Sequence, residues 1–242
     1  MDIREVKGRV NSIQTLGTLD GPGVRFVLFL QGCPLRCACC HNPETWELNG
    51  GEEYTAGRIF DKICRYKSYF GKDGGVTVSG GEALLQSEFC TALFQLCKEN
   101  SINTCLDTSG CILNDSVKKL LSLTDLVLLD IKYTTDDKYL KYVGCHQKPV
   151  LDFLDYLDAN GIETWLRQVL IPTKNDDEEN LLRLAELKKA HSCVSKCELL
   201  AFRKLCTSKY DDLKIEFPFA KIDEASPELL CESQKRLDEL CR

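Results

Sequence analysis

The chain has 242 residues, 43% of them hydrophobic, and a formal net charge of −6, so it can fill one large core without metal or disulfide staples. No stretch concentrates Lys and Arg apart from acids, which excludes an electrostatic footprint for nucleic acid. The charged start MDIREVKGRV lacks an apolar signal-peptide core, and no run nears the ~18 apolar residues of a membrane span, so a cytoplasmic protein with no membrane partner is expected.

That placement decides how the 15 cysteines read. In a reducing compartment thiols stay reduced, so their odd count describes no disulfide framework. Cys64, Cys90, Cys97 and Cys231 stand where small apolar residues would serve, and they are expected to be buried core thiols.

In chain order, apolar runs of strand length occur at 24–30, 76–78, 103–106, 126–131, 164–171 and 197–202. Stretches of helical periodicity lie between them at 56–70, 87–99, 151–160 and 178–190, a strand-helix alternation. The apolar runs are continuous, so both faces of each strand are covered and a parallel sheet is predicted. Six such units predict an α/β fold, an incomplete (β/α)6 TIM-like barrel in one domain spanning 1–242, with chemistry at the carboxyl ends of the strands. A closing helix is expected over 226–242, with Ser226 as N-cap and Pro227 at its first position.

The conspicuous motifs each follow a strand: QGCPLRC the first, SGGE the second, DTSG the third, DIK the fourth and FRK the sixth. Cys33, Cys37 and Cys40 form CxxxCxxC, with Gly32 permitting a turn and Pro34 stiffening the first spacer. Structural zinc closes four ligands, usually in two separated pairs, and a fourth ligand from Cys39 or His41 would strain so short a loop. Electron-carrying clusters also prefer four cysteines. Three thiolates with one position open fit a 4Fe-4S cluster whose fourth iron binds a substrate or cosubstrate. Zinc, or buried thiols with no ligand, are the alternatives, and Cys39 is the thiol left over.

CxxxCxxC followed by GGE resembles the radical S-adenosylmethionine enzymes. GTLDGPGVRFVLFLQGCPLRCACCHNPETW (17–46), GGVTVSGGEALLQ (74–86), CLDTSG (105–110) and TDLVLLDIK (124–132) are similar, more narrowly, to the glycyl-radical-enzyme activases of the pyruvate formate-lyase type. The likeness spans about 8–202 and leaves 203–242 as a C-terminal extension. It implies one 4Fe-4S cluster on Cys33, Cys37 and Cys40, with S-adenosylmethionine chelating the free iron, and reductive cleavage of that cosubstrate to a 5′-deoxyadenosyl radical. The radical would take a hydrogen atom from a backbone glycine of the partner enzyme.

The same resemblance implies further roles. Cys39, Cys40, His41, Gly80, Gly81, Glu82, Asp130, Ile131, Lys132 and Arg203 would line the cosubstrate; Asp107, Thr108 and Asp130 would hold a monovalent cation, Na or K; Asp20 and Arg167 would meet the target peptide. Flavodoxin or ferredoxin is the implied electron donor, and a monomer is expected. The bland readings are a tight turn at GGE, helix caps or satisfied polar groups at Asp107 and Asp130, and a structural ion pair at Arg167.

Some positions depart from the family pattern. Cys39 stands where relatives usually carry an aromatic residue, and Ala201, Phe202 and Arg203 replace a Pro-aromatic-His segment; a guanidinium can still stack on adenine. Cys193, Cys197 and Cys206 are expected to be core thiols rather than ligands of a second cluster, and 47–55 is too short for a ferredoxin-like insert. Of the three histidines, His146 and His191 are expected to be exposed. The alternatives are an activase of another glycyl-radical enzyme, such as a dehydratase or the anaerobic ribonucleotide reductase, and a non-catalytic metal or electron-transfer protein.

Overall fold

Phe26, Val27, Leu28 and Leu30 are sealed from solvent in a strand at the run 24–30, as their apolar continuity dictates. A computed structural model of the chain describes residues 2–242. Two compact units divide it: one takes the chain up to Pro34 together with Thr45–Leu128, the other Leu35–Glu44 together with Leu129–Arg242.

The first unit holds β1 (Lys7–Gly17), β2 (Arg25–Leu30), β3 (Glu52–Thr55), β4 (Gly75–Gly80) and β5 (Asn103–Thr108), with α1 (Ala56–Cys64), α2 (Ser87–Glu99) and α3 (Asp115–Leu121). Its strands lie in the order β3-β1-β2-β4-β5. β2, β4 and β5 are parallel neighbours, whereas β1 runs antiparallel to both β2 and β3. Because side chains alternate along a strand, Val76 and Val78 are buried on one face while Thr77 and Ser79 share the other.

On that second face Arg25 is enclosed at 0% exposure. Its guanidinium donates to Thr77 Oγ1 at 2.6 Å, to the Val76 carbonyl at 2.7 Å and to Asn103 Oδ1 at 2.9 Å. Burial pulls its pKa down, with Cys105, Asp125 and Asp20 opposing. These bonds fasten the amino-terminal ends of three strands to one another, replacing the water that a buried guanidinium loses.

The fourth predicted strand is β6 (Leu126–Asp130). In the first unit, the Asp125 amide just before it donates to the Thr104 carbonyl at 3.0 Å. In the second unit, the Ile131 amide just after it donates to the Arg167 carbonyl at 2.8 Å. That unit continues with α4 (Asp136–Tyr142), α5 (Lys148–Ala159), β7 (Thr164–Leu170), α6 (Glu178–Ala190), β8 (Val194–Ala201), α7 (Thr207–Leu213) and α8 (Pro227–Leu240). β7 and β8 are parallel. The Ser226 hydroxyl accepts the Leu229 amide at 3.1 Å and Pro227 opens α8, as the sequence predicts. From α8, Gln234 reaches β8: its Oε1 accepts the Leu199 amide at 2.8 Å and its Nε2 donates to the Cys197 carbonyl at 3.1 Å.

Several expectations are corrected. Among the described residues there are eight strands rather than six: β1 alternates buried and exposed positions along its length, and β3 is only four residues long, so neither has a continuous apolar run. The predicted helix 56–70 ends at Cys64 and gives way to a single 3-10 turn, Lys67–Tyr69. Cys90 and Cys97 are buried as expected, but Cys64 and Cys231 are exposed because each lies on the solvent side of its helix. Cys193, Cys197 and Cys206 are buried. His146 is exposed, but His191 is half-buried, bonded to the Leu187 carbonyl at 2.7 Å and to Asp155 at 3.0 Å.

Candidate active site

The first unit brings the GGE segment against the start of the cysteine loop. Gly80 ends β4 at φ +120, and a Cβ there would lie 2.1 Å from the Leu30 amide nitrogen. A Cβ on Gly81 would lie 2.3 Å from the Gly32 carbonyl oxygen. Only glycine permits this approach. The Gly81 amide donates to the Leu30 carbonyl at 2.9 Å and the Glu82 amide to the Gly32 carbonyl at 2.8 Å, so GGE is stitched to the backbone that leads into Cys33.

Glu82 is 2% exposed and saturated with donors. Its Oε1 accepts the Leu84 amide at 3.1 Å and the Thr108 hydroxyl at 2.5 Å; its Oε2 accepts the Ser109 amide at 3.0 Å and the Ser109 hydroxyl. The carboxylate thus crosslinks the ends of β4 and β5. Beside it, Ser79 Oγ donates to Asp107 Oδ2 at 2.6 Å. Asp20 precedes β2, and its carbonyl accepts the Thr77 hydroxyl at 2.6 Å.

In the second unit, Cys37 and Cys40 are held in one turn, the Cys40 amide donating to the Cys37 carbonyl at 3.1 Å. The loop is tied to the end of α4 by Arg36 N–H to the Val143 carbonyl at 3.1 Å and Ala38 N–H to the Tyr142 carbonyl at 2.8 Å. The C-terminal extension holds its far side. Tyr210 donates to the Cys40 carbonyl at 3.2 Å, and Lys209 Nζ reaches Asn42 Oδ1 at 2.8 Å and Glu44 Oε1 at 2.5 Å. His41 Nε2 lies 2.7 Å from the Arg203 carbonyl, which joins two sequence-predicted residues through backbone rather than through the guanidinium. Arg203 Nη1 donates to the Ala225 carbonyl at 3.0 Å and lies 3.6 Å from Glu224.

The DIK segment carries a largely buried charge cluster. Asp130 and Lys132, each about a fifth exposed, pair at 2.6 Å, and Arg167, 6% exposed, lies 3.4 Å from the other Asp130 oxygen. Burial pushes the Asp130 carboxyl up, but the charges of Lys132 and then Arg167 outweigh it and hold the group below the usual carboxylate range. Burial likewise opposes the Lys132 charge, yet Asp130 and then Cys37 keep its pKa well above normal. The Ile131 side chain is wholly buried. Further along the strands, Lys196 Nζ stands 4.4 Å over the Trp165 ring, a cation-π contact.

Thiols are the usual ligands of iron-sulfur clusters. Cys33, Cys37, Cys39 and Cys40 are half-buried and carry no disulfide. Burial pushes the Cys39 thiol up to about 11, so without a metal it stays protonated at neutral pH. Among the described residues, no group of three or more His, Cys, Asp and Glu side chains is arranged to hold a single metal ion. An iron-sulfur cluster makes a different demand, one thiolate per iron rather than several on one ion.

Sequence reasoning missed Arg25, Ser79, Ser109, Lys209 and Tyr210. Ser79 and Ser109 had a signal, since each sits inside a motif, SGGE and DTSG; Lys209 and Tyr210 had none, because only the fold returns the extension to the cysteine loop.

Residues 27–185 match the model of the Radical SAM superfamily. The chain is 43% identical over 236 residues to the pyruvate formate-lyase-activating enzyme of Clostridium pasteurianum, covering 97% of this chain and 99% of that one. It is 39% identical over 225 residues to the pyruvate formate-lyase 1-activating enzyme of Escherichia coli, covering 92% and 90%. Among solved structures, a radical SAM methyltransferase from Sphaerobacter thermophilus superposes with a TM-score of 0.64 at 17% identity, covering 89% of this chain and 64% of that one. A domain of pyruvate-formate lyase-activating enzyme from Bacteroides vulgatus gives 0.57 at 21% identity, covering 69% and 94%. The α/β fold of a partial TIM-like barrel is therefore that of the superfamily, which implies a 4Fe-4S cluster and S-adenosylmethionine. The chain belongs to the radical SAM superfamily and, within it, to the pyruvate formate-lyase-activating enzymes.

Proposed function

We propose that the chain activates pyruvate formate-lyase, or a close glycyl-radical enzyme, by removing a hydrogen atom from a backbone glycine of that partner. The observation that carries the reading is CxxxCxxC on a braced loop, in a chain 43% identical over nearly its whole length to an enzyme of that name. Cys33, Cys37 and Cys40 would hold the cluster, which supplies, when bound, the electron for reductive cleavage of S-adenosylmethionine.

The chain's own residues prepare that step. Gly80 and Gly81 let the backbone approach the cosubstrate's amino group, while the Glu82 carboxylate locks the segment through Thr108 and Ser109. Lys132, fully charged beside Asp130, answers the cosubstrate carboxylate together with the Ile131 backbone. Cys39, Cys40, His41 and Arg203 form the nucleoside end, an idea supported by the His41 bond to the Arg203 carbonyl. Asp20 and Arg167 receive the target peptide, and a monovalent cation takes hard oxygen donors among Asp107, Thr108 and Asp130. The protein acts as a single-domain cytoplasmic monomer reduced by flavodoxin or ferredoxin.

Anaerobic reconstitution tests the reading. Brown 4Fe-4S absorption, a paramagnetic resonance signal altered by S-adenosylmethionine and a glycyl doublet on pyruvate formate-lyase are expected. Colourless protein with stoichiometric zinc would overturn it, and a doublet only on a dehydratase or ribonucleotide reductase would reassign the partner.

A further inference from the structure

Tyr133 follows the DIK segment directly, is 1% exposed, and buries its hydroxyl without a hydrogen-bond partner. Buried hydroxyls are almost always paired, so an orphan of this kind points to an absent partner. Its place says which. The ring packs on Tyr142 with centroids 5.2 Å apart, and the Tyr142 carbonyl is the one that holds the Ala38 amide at 2.8 Å, between Cys37 and Cys39. The Tyr133 backbone is fixed in turn, its carbonyl accepting Gln147 Nε2 at 3.5 Å. Burial raises the Tyr133 phenol, and the negative forms of Cys39, Tyr142 and Cys37 raise it further against Lys132. The phenol therefore keeps its proton and is available as a donor.

We infer that the Tyr133 hydroxyl donates a hydrogen bond to the sulfur of the cluster proposed for the Cys37 and Cys40 loop, and so raises that cluster's reduction potential. The inference rests on the proposed ligand reading of CxxxCxxC. A hydrogen bond to sulfur stabilises the more negative, reduced state, and such bonds are among the determinants of cluster potential. A phenylalanine would fill the same space and pack on Tyr142 equally well, so packing alone gives no reason for the hydroxyl.

The test compares reconstituted holoenzyme with its Tyr133→Phe variant in a reductive titration followed by paramagnetic resonance. The expected result is an unchanged iron content with a more negative midpoint, so that at a fixed poise near the wild-type midpoint the ratio of reduced to oxidised cluster falls by about threefold or more. Tyr133→Gln, which restores a donor, should recover part of the shift. An unmoved midpoint overturns the inference, as does weakened S-adenosylmethionine binding at an unmoved midpoint, which would make the cosubstrate the hydroxyl's partner. If Tyr133→Phe fails to assemble a cluster, 3-fluorotyrosine at 133, a stronger donor of nearly the same shape, should move the midpoint positive, and no movement overturns the inference. Failure of the wild-type chain to bind a 4Fe-4S cluster would instead remove the functional reading itself.

Discussion

His41 Nε2 sits 2.7 Å from the backbone carbonyl of Arg203, so the residue next to the last cysteine of CxxxCxxC is braced by the segment that leaves β8. The brace needs a ring N–H at that position. His41→Ala should lower stability by about 1 kcal/mol, the ordinary worth of one such bond, in chemical denaturation of the apoprotein.

Cys37→Ala should abolish cluster assembly and all cleavage of S-adenosylmethionine. Cys39→Ala should leave iron content and cleavage largely intact, because that thiol lies outside the CxxxCxxC spacing. Iron analysis and visible absorption after anaerobic reconstitution check both, and retained cleavage in Cys37→Ala would remove the ligand assignment.

Asp130→Asn leaves the charges of Lys132 and Arg167 without their shared carboxylate, and should cost roughly 3 kcal/mol at neutral pH. The pH dependence has a definite sign. The Asp130 carboxyl is held below its unfolded value, so its contribution is complete above about pH 4 and disappears as pH falls through the folded value. Lys132 is raised, so its contribution persists until pH climbs past about 10.4. Urea denaturation should therefore show a shallower acid-side loss below about pH 4 in Asp130→Asn than in the wild type.

Glu82→Gln keeps the shape but exchanges two acceptor oxygens, both already bonded, for one acceptor and one amide donor that would face the Ser109 or Thr108 donors. A loss of about 2 kcal/mol is expected in denaturation of the apoprotein. Glu82→Asp retains the charge but not the reach, and should fall between the two.

The parallel part of the fold is legible because a strand covered on both faces leaves a continuous apolar run, as at Phe26–Leu30 and Val127–Leu129. The candidate site is legible because loops after such strands carry the cysteines, GGE, DTSG and DIK. β1 escapes this reasoning: its alternating pattern reads as ordinary polar sequence until β2 pairs with it. Arg25 escapes for the opposite reason, since a charged residue within an apolar run looks like an interruption rather than a peg joining Thr77 and Asn103. Lys209 and Tyr210 lie far along the chain from Asn42 and Cys40, and contacts at that sequence separation leave no periodic trace.

The Gln234 amide, set between the Leu199 N–H and the Cys197 carbonyl, imitates a peptide group of a neighbouring chain. The flank of β8 thus meets a molecular blank where a foreign ribbon would otherwise dock, a safeguard against self-templating growth.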